Sequence, residues 1–275
     1  MPELPEVETI KRDLEKRLIG KKLLRIEIFQ ETFYKKYFKD DFLLKLKTLL
    51  SQKIKEIRRK GKYLLLLLEN KVLVFHLGVT GALILGNPKG GNPLFNKKHL
   101  ILTLEFDELS LFFIDIRKFG KVWILEKEKL EDHFFFLGKD ALEISFKEFK
   151  DLLLSKNRLI KSFLLDQRII SGLGNIYTDE ILFRSRINPL RKTKNLSEEE
   201  IKRIYQNMQE VLVKAIELRG SSVKNYINGK GERGAFQEEH LVYGKRGSPC
   251  PICGNPLQYK KIAQRGTTFC SRCQR

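Results

Sequence analysis

The sequence lacks any apolar run near the roughly eighteen residues that a membrane span needs. Its run LLLLL at 64–68 is closed in by Lys62, Tyr63, Glu69 and Asn70. The first residues also lack the basic-then-apolar layout of a secretory signal. No internal repeat or low-complexity tract interrupts the chain, and no Pro/Gly-rich linker marks a boundary near 135–150. Cysteine is scarce, with four residues confined to the last thirty or so positions, and acidic side chains disappear altogether after Glu239. Together these absences exclude a spanning protein and a disulfide scaffold, and the expectation is a soluble, cytoplasmic chain with no membrane partner.

What is present is positive charge. There are 53 Lys and Arg against 34 Asp and Glu in 275 residues, a net +19. Residues 1–135 carry 27 basic and 19 acidic side chains, and 136–275 carry 26 and 15. Both halves are therefore basic, as two parts facing one polyanion would be. Beyond Glu239 stand Lys245, Arg246, Lys260, Lys261, Arg265, Arg272 and Arg275. A nucleic acid is the leading partner, although a solvated basic surface would give the same composition.

Val7, Ile10, Leu14 and Leu18 recur at helical spacing before Gly20, which predicts a helix from about Pro5 to Ile19. The stretches 23–29, 62–69, 71–77, 100–106 and 109–116 read as strands, several joined by short polar turns, so the first half is predicted to be a largely antiparallel sandwich or barrel. Past residue 135 the period becomes helical. Leu159, Ile160, Phe163 and Leu164 form one face, SGLGN at 171–175 interrupts, and a short helix is predicted over about 178–184. SEEE at 197–200 has the Ser-x-x-Glu capping pattern, followed by a long apolar stripe closed by Arg219-Gly220. The predicted domains are 1–135, a linker at 136–150, 151–238 and 239–275, with 221–236 a glycine-containing loop inside the third span.

Cys250, Cys253, Cys270 and Cys273 form two C-x2-C knuckles separated by sixteen residues. Four thiolates at this spacing surround one zinc tetrahedrally and leave no open position, so a structural site is predicted, displaying the basic hairpin 258–269. The opening MPELPEVE raises a different chemistry. If Met1 is trimmed, Pro2 becomes a secondary amine, a group that titrates near 7.7–8.0 and can attack a sugar C1′. The helix behind it favours the neutral amine, and Glu3 could move protons for the leaving group. Proline and glutamate equally suit a helix's first turn, and these residues alone favour that plainer reading.

MPELPEVETI at the start, KYLLL at 62–66, HLGVTG at 76–81, DIRKFG at 115–120, GLGNIY at 172–177, AQR at 263–265 and the terminal knuckles occur in one order over essentially the whole chain. This ordered set resembles the bacterial formamidopyrimidine-DNA glycosylases, bifunctional glycosylase and AP-lyase enzymes of base excision repair. The resemblance implies an α+β multidomain chain: an N-terminal antiparallel β-sandwich with flanking helices, then a helix-two-turn-helix domain and a C-terminal zinc finger, with duplex DNA in the cleft between domains. It implies Pro2 as Schiff-base nucleophile, Glu3 as proton donor, Lys62 at the phosphates of the damaged nucleotide, and Arg265 at the lesion phosphate, linked to δ-elimination. Asn175 resembles the family's phosphate-binding asparagine. His76 sits where the family has a phosphate-contacting histidine; a satisfied core histidine is the rival reading. His99 and Lys156 lie near family DNA contacts, and His99 also suits a solvent-facing strand edge. Glu6 matches a pocket glutamate that could equally cap the helix, and Tyr177 either touches DNA or packs the turn.

The family fills the hole left by an extruded base with three side chains. Here Arg117 matches the arginine facing the orphaned base, Phe119 the wedge, and Val79 replaces the usual methionine with a shorter, stiffer chain. Ile116 and Lys118 replace the usual Pro and Arg. The loop 221–236 matches the family's cover over the flipped base. The implied reaction removes 8-oxoguanine and formamidopyrimidines from duplex DNA through a Pro2 iminium, then β- and δ-elimination. It needs no catalytic metal or redox cofactor, and is expected of a monomer in the bacterial cytoplasm, on the nucleoid. Two rivals remain: an endonuclease VIII-like enzyme for oxidised pyrimidines, against which ELPEVET and the long 221–236 loop argue, and a zinc-ribbon nucleic-acid-binding protein without catalysis.

Overall fold

In the computed structural model, which describes residues 1–29, 42–87, 97–223 and 226–275, the chain forms two compact units. One comprises Met1–Phe135 with Leu218–Ala235, the other Phe136–Glu217 with Phe236–Arg275. Each has its own core, and the architecture is α+β.

The first unit begins with α1 (Leu4–Leu18), where Pro5 stands in the first turn. Val7, Ile10, Leu14 and Leu18 are all buried, and Gly20, at φ +81°, ends the run. A short α2 (Phe42–Lys47) follows β1 (Arg25–Ile28). The remaining strands are β2 (Glu56–Lys60), β3 (Tyr63–Leu67), β4 (Lys71–His76), β5 (Gly81–Gly86), β6 (Leu100–Glu105), β7 (Ser110–Asp115) and β8 (Lys121–Glu126). They make two four-stranded antiparallel sheets, ordered β1-β6-β7-β5 and β2-β3-β4-β8. The inward faces share one core: Leu64, Leu66, Leu73 and Phe75 from one sheet, Leu83, Leu104, Leu111 and Phe113 from the other, and the apolar stripe of α1. β3 is buried on both faces and therefore reads as an unbroken leucine run. Strands β2, β5 and β8 were not predicted: EIRRK is too charged, and the flanking glycines of GALILG disguise its alternation.

In the second unit β9 (Lys139–Asp140) pairs in parallel with β10 (Ile170–Ser171). Its helices are α3 (Phe146–Leu154), α4 (Ile160–Leu165), α5 (Asn175–Arg184) and α6 (Glu198–Glu217). The antiparallel hairpin β11 (Gln258–Ile262) and β12 (Arg265–Phe269) completes it. The Ser197–Glu200 capping pair forms as read. The same device at Ser145 and Glu148 starts α3, a helix the sequence reading missed. Residues 136–150 are thus not a linker, because β9 and the start of α3 fold into the second unit. The loop 221–236 also differs from the reading that placed it with the helices. Residues Leu218–Ala235 pack with the first unit through polar bonds to α1, while Lys224 and Asn225 lie outside the described residues. Among the described residues no helix is long and apolar enough to cross a membrane.

Candidate functional site

At the mouth of α1, Glu3 is the N-cap and pairs reciprocally with Glu6: the Glu3 side chain accepts from the Glu6 amide, and the Glu3 amide donates to Glu6 Oε2 at 2.8 Å. Pro2, Glu3 and Glu6 are buried, whereas Met1 is 45% exposed. Burial pushes the Met1 amine below its usual range; Glu3 and Glu6 oppose this, and Lys62 and Arg117 reinforce it. The chain start is therefore the point on which Glu3, Glu6, Lys62 and Arg117 all act, although up to 115 residues separate them in sequence. Lys62 is buried and occupies the second position of the two-residue turn joining β2 to β3, where Lys60 pairs with Tyr63. Gly61 takes the first position at φ +54°, the left-handed geometry that a tight hairpin turn requires there.

His76 ends β4, opposite Tyr63 on one side and Lys121 on the other. Burial, then the charges of Lys62 and Lys121, push its imidazole down to about 4, so it is neutral at pH 7. Its Nδ1 accepts from the Gly78 amide at 3.3 Å, which leaves the proton on Nε2, a neutral donor suited to a phosphate oxygen. The next turn supplies Val79, half-buried, and packs against the turn after β7. A Cβ on Gly78 would meet the Phe119 carbonyl carbon at 2.5 Å, so glycine is what lets the two turns touch.

That second turn is organised by Asp115, which is fully buried. Its carboxylate accepts from Gly120 N at 2.6 Å, Arg117 N at 3.2 Å and Thr80 Oγ1 at 2.5 Å, while Thr80 Oγ1 also accepts from Arg117 N at 2.9 Å. One carboxylate thus fixes both turns. Above it Ile116, Arg117 and Phe119 project into solvent, with the Arg117 guanidinium 4.8 Å from the centre of the Phe119 ring. Val79, Arg117 and Phe119 are brought to one end of the sheets, on the two turns that Asp115 joins. Asp115 and Thr80 were not singled out, although both lie inside the quoted motifs. His99 stands in a helical turn just before β6, half-buried.

In the second unit, Asn175 opens α5 and its Nδ2 donates to the Gly266 carbonyl at 2.9 Å. This ties the helix N-terminus, a natural anion site, to the turn of the β11–β12 hairpin. Ala263 and Gln264 occupy that turn at φ +50° and +59°, which leaves Arg265 exposed beside Gly266. Behind them lies a feature the sequence reading missed. Lys161 is fully buried on α4, with its Nζ 2.5 Å from Asp179 Oδ1 and 2.6 Å from Thr267 Oγ1. Asp179 also accepts from Thr268 N at 3.3 Å, and burial pushes its carboxyl up to about 6 against the pull of Lys161. A lone lysine in LIKSFLL was the available signal. Tyr177 is 0% exposed, its ring 5.4 Å from that of Phe236, so its side chain packs the core, the second of the two readings the sequence left open. Lys156 is exposed just past α3, and its carbonyl accepts from the Thr193 hydroxyl.

The four cysteine sulfurs all lie within 4.8 Å of one another, with Cys250–Cys273 at 3.9 Å and Cys253–Cys270 at 3.5 Å. Zn–S bonds of about 2.3 Å arranged tetrahedrally place sulfurs about 3.8 Å apart, so the donor set fits one zinc with no vacant position.

Three family models match the chain in sequence: the formamidopyrimidine-DNA glycosylase N-terminal domain at 1–122, the formamidopyrimidine-DNA glycosylase H2TH domain at 137–226, and the zinc finger found in FPG and IleRS at 247–275. A formamidopyrimidine-DNA glycosylase of Streptococcus pneumoniae is 40% identical over 280 residues, covering 100% of this chain and 99% of its own. Wild-type Fpg (MutM) of Lactococcus lactis, solved with DNA containing N7-benzyl-Fapy-dG, superposes with a TM-score of 0.89 at 35% identity, covering 100% of both chains. A MutM protein solved with DNA containing carbocyclic 8-oxo-G gives 0.88 at 36% identity, again covering both chains fully.

Proposed function

The chain belongs to the formamidopyrimidine-DNA glycosylase family, and from that membership we propose how its own residues carry the reaction. It is a DNA glycosylase and AP lyase of base excision repair, acting on oxidised purines in duplex DNA. What supports the residue assignment is the mouth of α1, where buried Glu3 and Glu6 pair reciprocally beside Pro2, together with the charges of Lys62 and Arg117 that act on the same chain start.

Removal of Met1 exposes the Pro2 secondary amine. Its nitrogen lone pair bonds to C1′ of the damaged nucleotide, the glycosidic bond breaks, and the base departs with a proton supplied by Glu3. The amine gives up its own proton, and the C1′–O4′ bond then breaks as O4′ takes a proton from Glu3 or water, which opens the sugar and leaves the iminium. The iminium acidifies C2′, and loss of that proton expels the 3′-phosphate; a second elimination expels the 5′-phosphate. Lys62 and the Nε2–H of neutral His76 hold the phosphates flanking the lesion, one as a charge and one as a neutral donor. Arg117, Phe119 and Val79 occupy the stack that the extruded base vacates. Asn175 and Arg265 bind backbone phosphate from the second unit, with His99 and Lys156 as outlying contacts. Glu6 acts from within the protein, holding Glu3 and the start of the 221–236 loop, which covers the base. Zinc held by Cys250, Cys253, Cys270 and Cys273 supplies fold and takes no part in the chemistry. The enzyme works as a monomer in the bacterial cytoplasm.

Borohydride reduction tests this directly, because it freezes an iminium as a covalent protein–DNA adduct. Untagged protein whose Met1 removal is verified by mass spectrometry is expected to yield an adduct on a duplex carrying 8-oxoguanine opposite cytosine, and Pro2→Gly to yield none. No adduct from the processed parent would overturn the assignment, and faster release of thymine glycol than of 8-oxoguanine would move the chain to the pyrimidine branch.

A further inference from the structure

Glu6 and Asp13 lie seven residues apart on α1, two turns along one face. Both are buried, and both direct carboxylate oxygens at the segment Leu218–Ala235. Glu6 Oε1 accepts from the Ser221 amide at 2.8 Å. Asp13 takes the Arg219 Nη2 on both oxygens, at 2.9 and 2.7 Å, and its Oδ2 also accepts from the Gly229 amide at 3.1 Å. The contact at Gly229 is close, since a Cβ there would lie 2.7 Å from Asp13 Cβ. Gly229 passes the link on: its carbonyl accepts from Leu85 N of β5 at 2.9 Å. The segment is closed at its base by Ala235 N to Leu218 O at 2.8 Å, and Ile227 packs on the outer face of the β5–β7 sheet.

Arg219 makes its bond from a strained backbone. It sits at φ +63°, where a side chain other than glycine is disfavoured, immediately before Gly220 at +84°. Glycine would satisfy that conformation without cost, so what an arginine adds here is its guanidinium. A buried carboxylate that grips one end of the segment through a side chain and its middle through an amide fixes the length of chain between them.

We propose that Asp13 is a positioning residue for lesion recognition: through Arg219 and Gly229 it sets the register of the 218–235 loop against the helix whose first residues carry the nucleophile. This deepens the function proposed above and rests on the loop covering the extruded base. An abasic site presents no base to cover, so Asp13 acts on excision and leaves strand cleavage at abasic sites alone.

The experiment compares parent, Asp13→Asn and Arg219→Gly on two duplexes, one with 8-oxoguanine and one with a preformed abasic site. Arg219→Gly keeps the fold because glycine suits the backbone there. Both variants are expected to lose about tenfold in kcat for excision with KM within about twofold, and to cleave the abasic duplex at the parent rate. The double variant should be no worse than either alone, since each breaks the same link. Trypsin cleavage after Lys230 and Arg233 is expected to accelerate in both. Equal losses on the two duplexes, or parent-like excision by both variants, overturns the proposal. Should the parent itself give neither excision nor a borohydride adduct, the function proposed above fails, while unchanged trypsin cleavage in the variants would still refute the clamp by itself.

Discussion

In the first unit, Lys62, His76 and Arg117 stand at strand ends whose register is dictated by a large shared apolar core, and one buried carboxylate, Asp115, ties the turns after β4 and β7 together. In the second, Arg265 rides on a two-strand hairpin held by four thiolates, one buried Lys161–Asp179 pair and the Asn175 amide on Gly266. An isolated hairpin is marginal in water. The first arrangement distributes its support over many small contacts; the second concentrates it in a few. Loss of any single group should therefore be graded in the first unit and abrupt in the second.

The strongest challenge to this contrast is removal of the metal. A structural zinc contributes on the order of 10 kcal/mol to its module, so stripping it with a chelator, or Cys270→Ser, is expected to abolish duplex retention while the strand signal of the first unit persists in circular dichroism. Tight duplex binding by protein shown by metal analysis to be zinc-free would erase the contrast. Next comes Lys161→Met, which leaves the Asp179 carboxylate buried without its cation and should cost about 3–5 kcal/mol in urea unfolding. Adding Asp179→Leu to that variant should recover most of the loss, because the penalty comes from the unpaired charge.

The smallest effect belongs to the first unit and depends on pH. His76 has its folded-state value at about 4 against 6.5 for the free side chain. Between those values the unfolded chain binds a proton that the folded one refuses, so stability falls as pH drops from 6.5 toward 4. The loss is at most about 3 kcal/mol, and His76→Gln should flatten that part of the urea-midpoint profile. An unchanged slope in the variant would show that another group titrates there.

Much of this division was legible in the sequence. The alternating and helical periods gave α1, β3, β4, β6, β7 and α6, because each buries a continuous face. The cysteine spacing gave the zinc module outright, since ligand chemistry allows few alternatives. What escaped were supports that act across sequence distance. Asp115 holds Gly120 and Thr80, Lys161 meets Asp179 and Thr267, and Asp13 meets Arg219, pairings that no local pattern encodes. Tyr177 stayed open between two readings for a related reason: GLGNIY signals a turn and a helix start, but not which face of that helix turns inward.

The turn that carries Lys62 has a last consequence for how this gene can change. Gly61 and Lys62 are the whole connection between β2 and β3, so the turn has no slack. Adding or deleting one residue there would change the turn that sets the β2–β3 register and break the pairing of Lys60 with Tyr63. Because β3 is leucine on both faces, its burial would survive such a slip better than the placement of the lysine would. Insertions that surface loops elsewhere absorb should be absent from this point in every functional descendant of the chain.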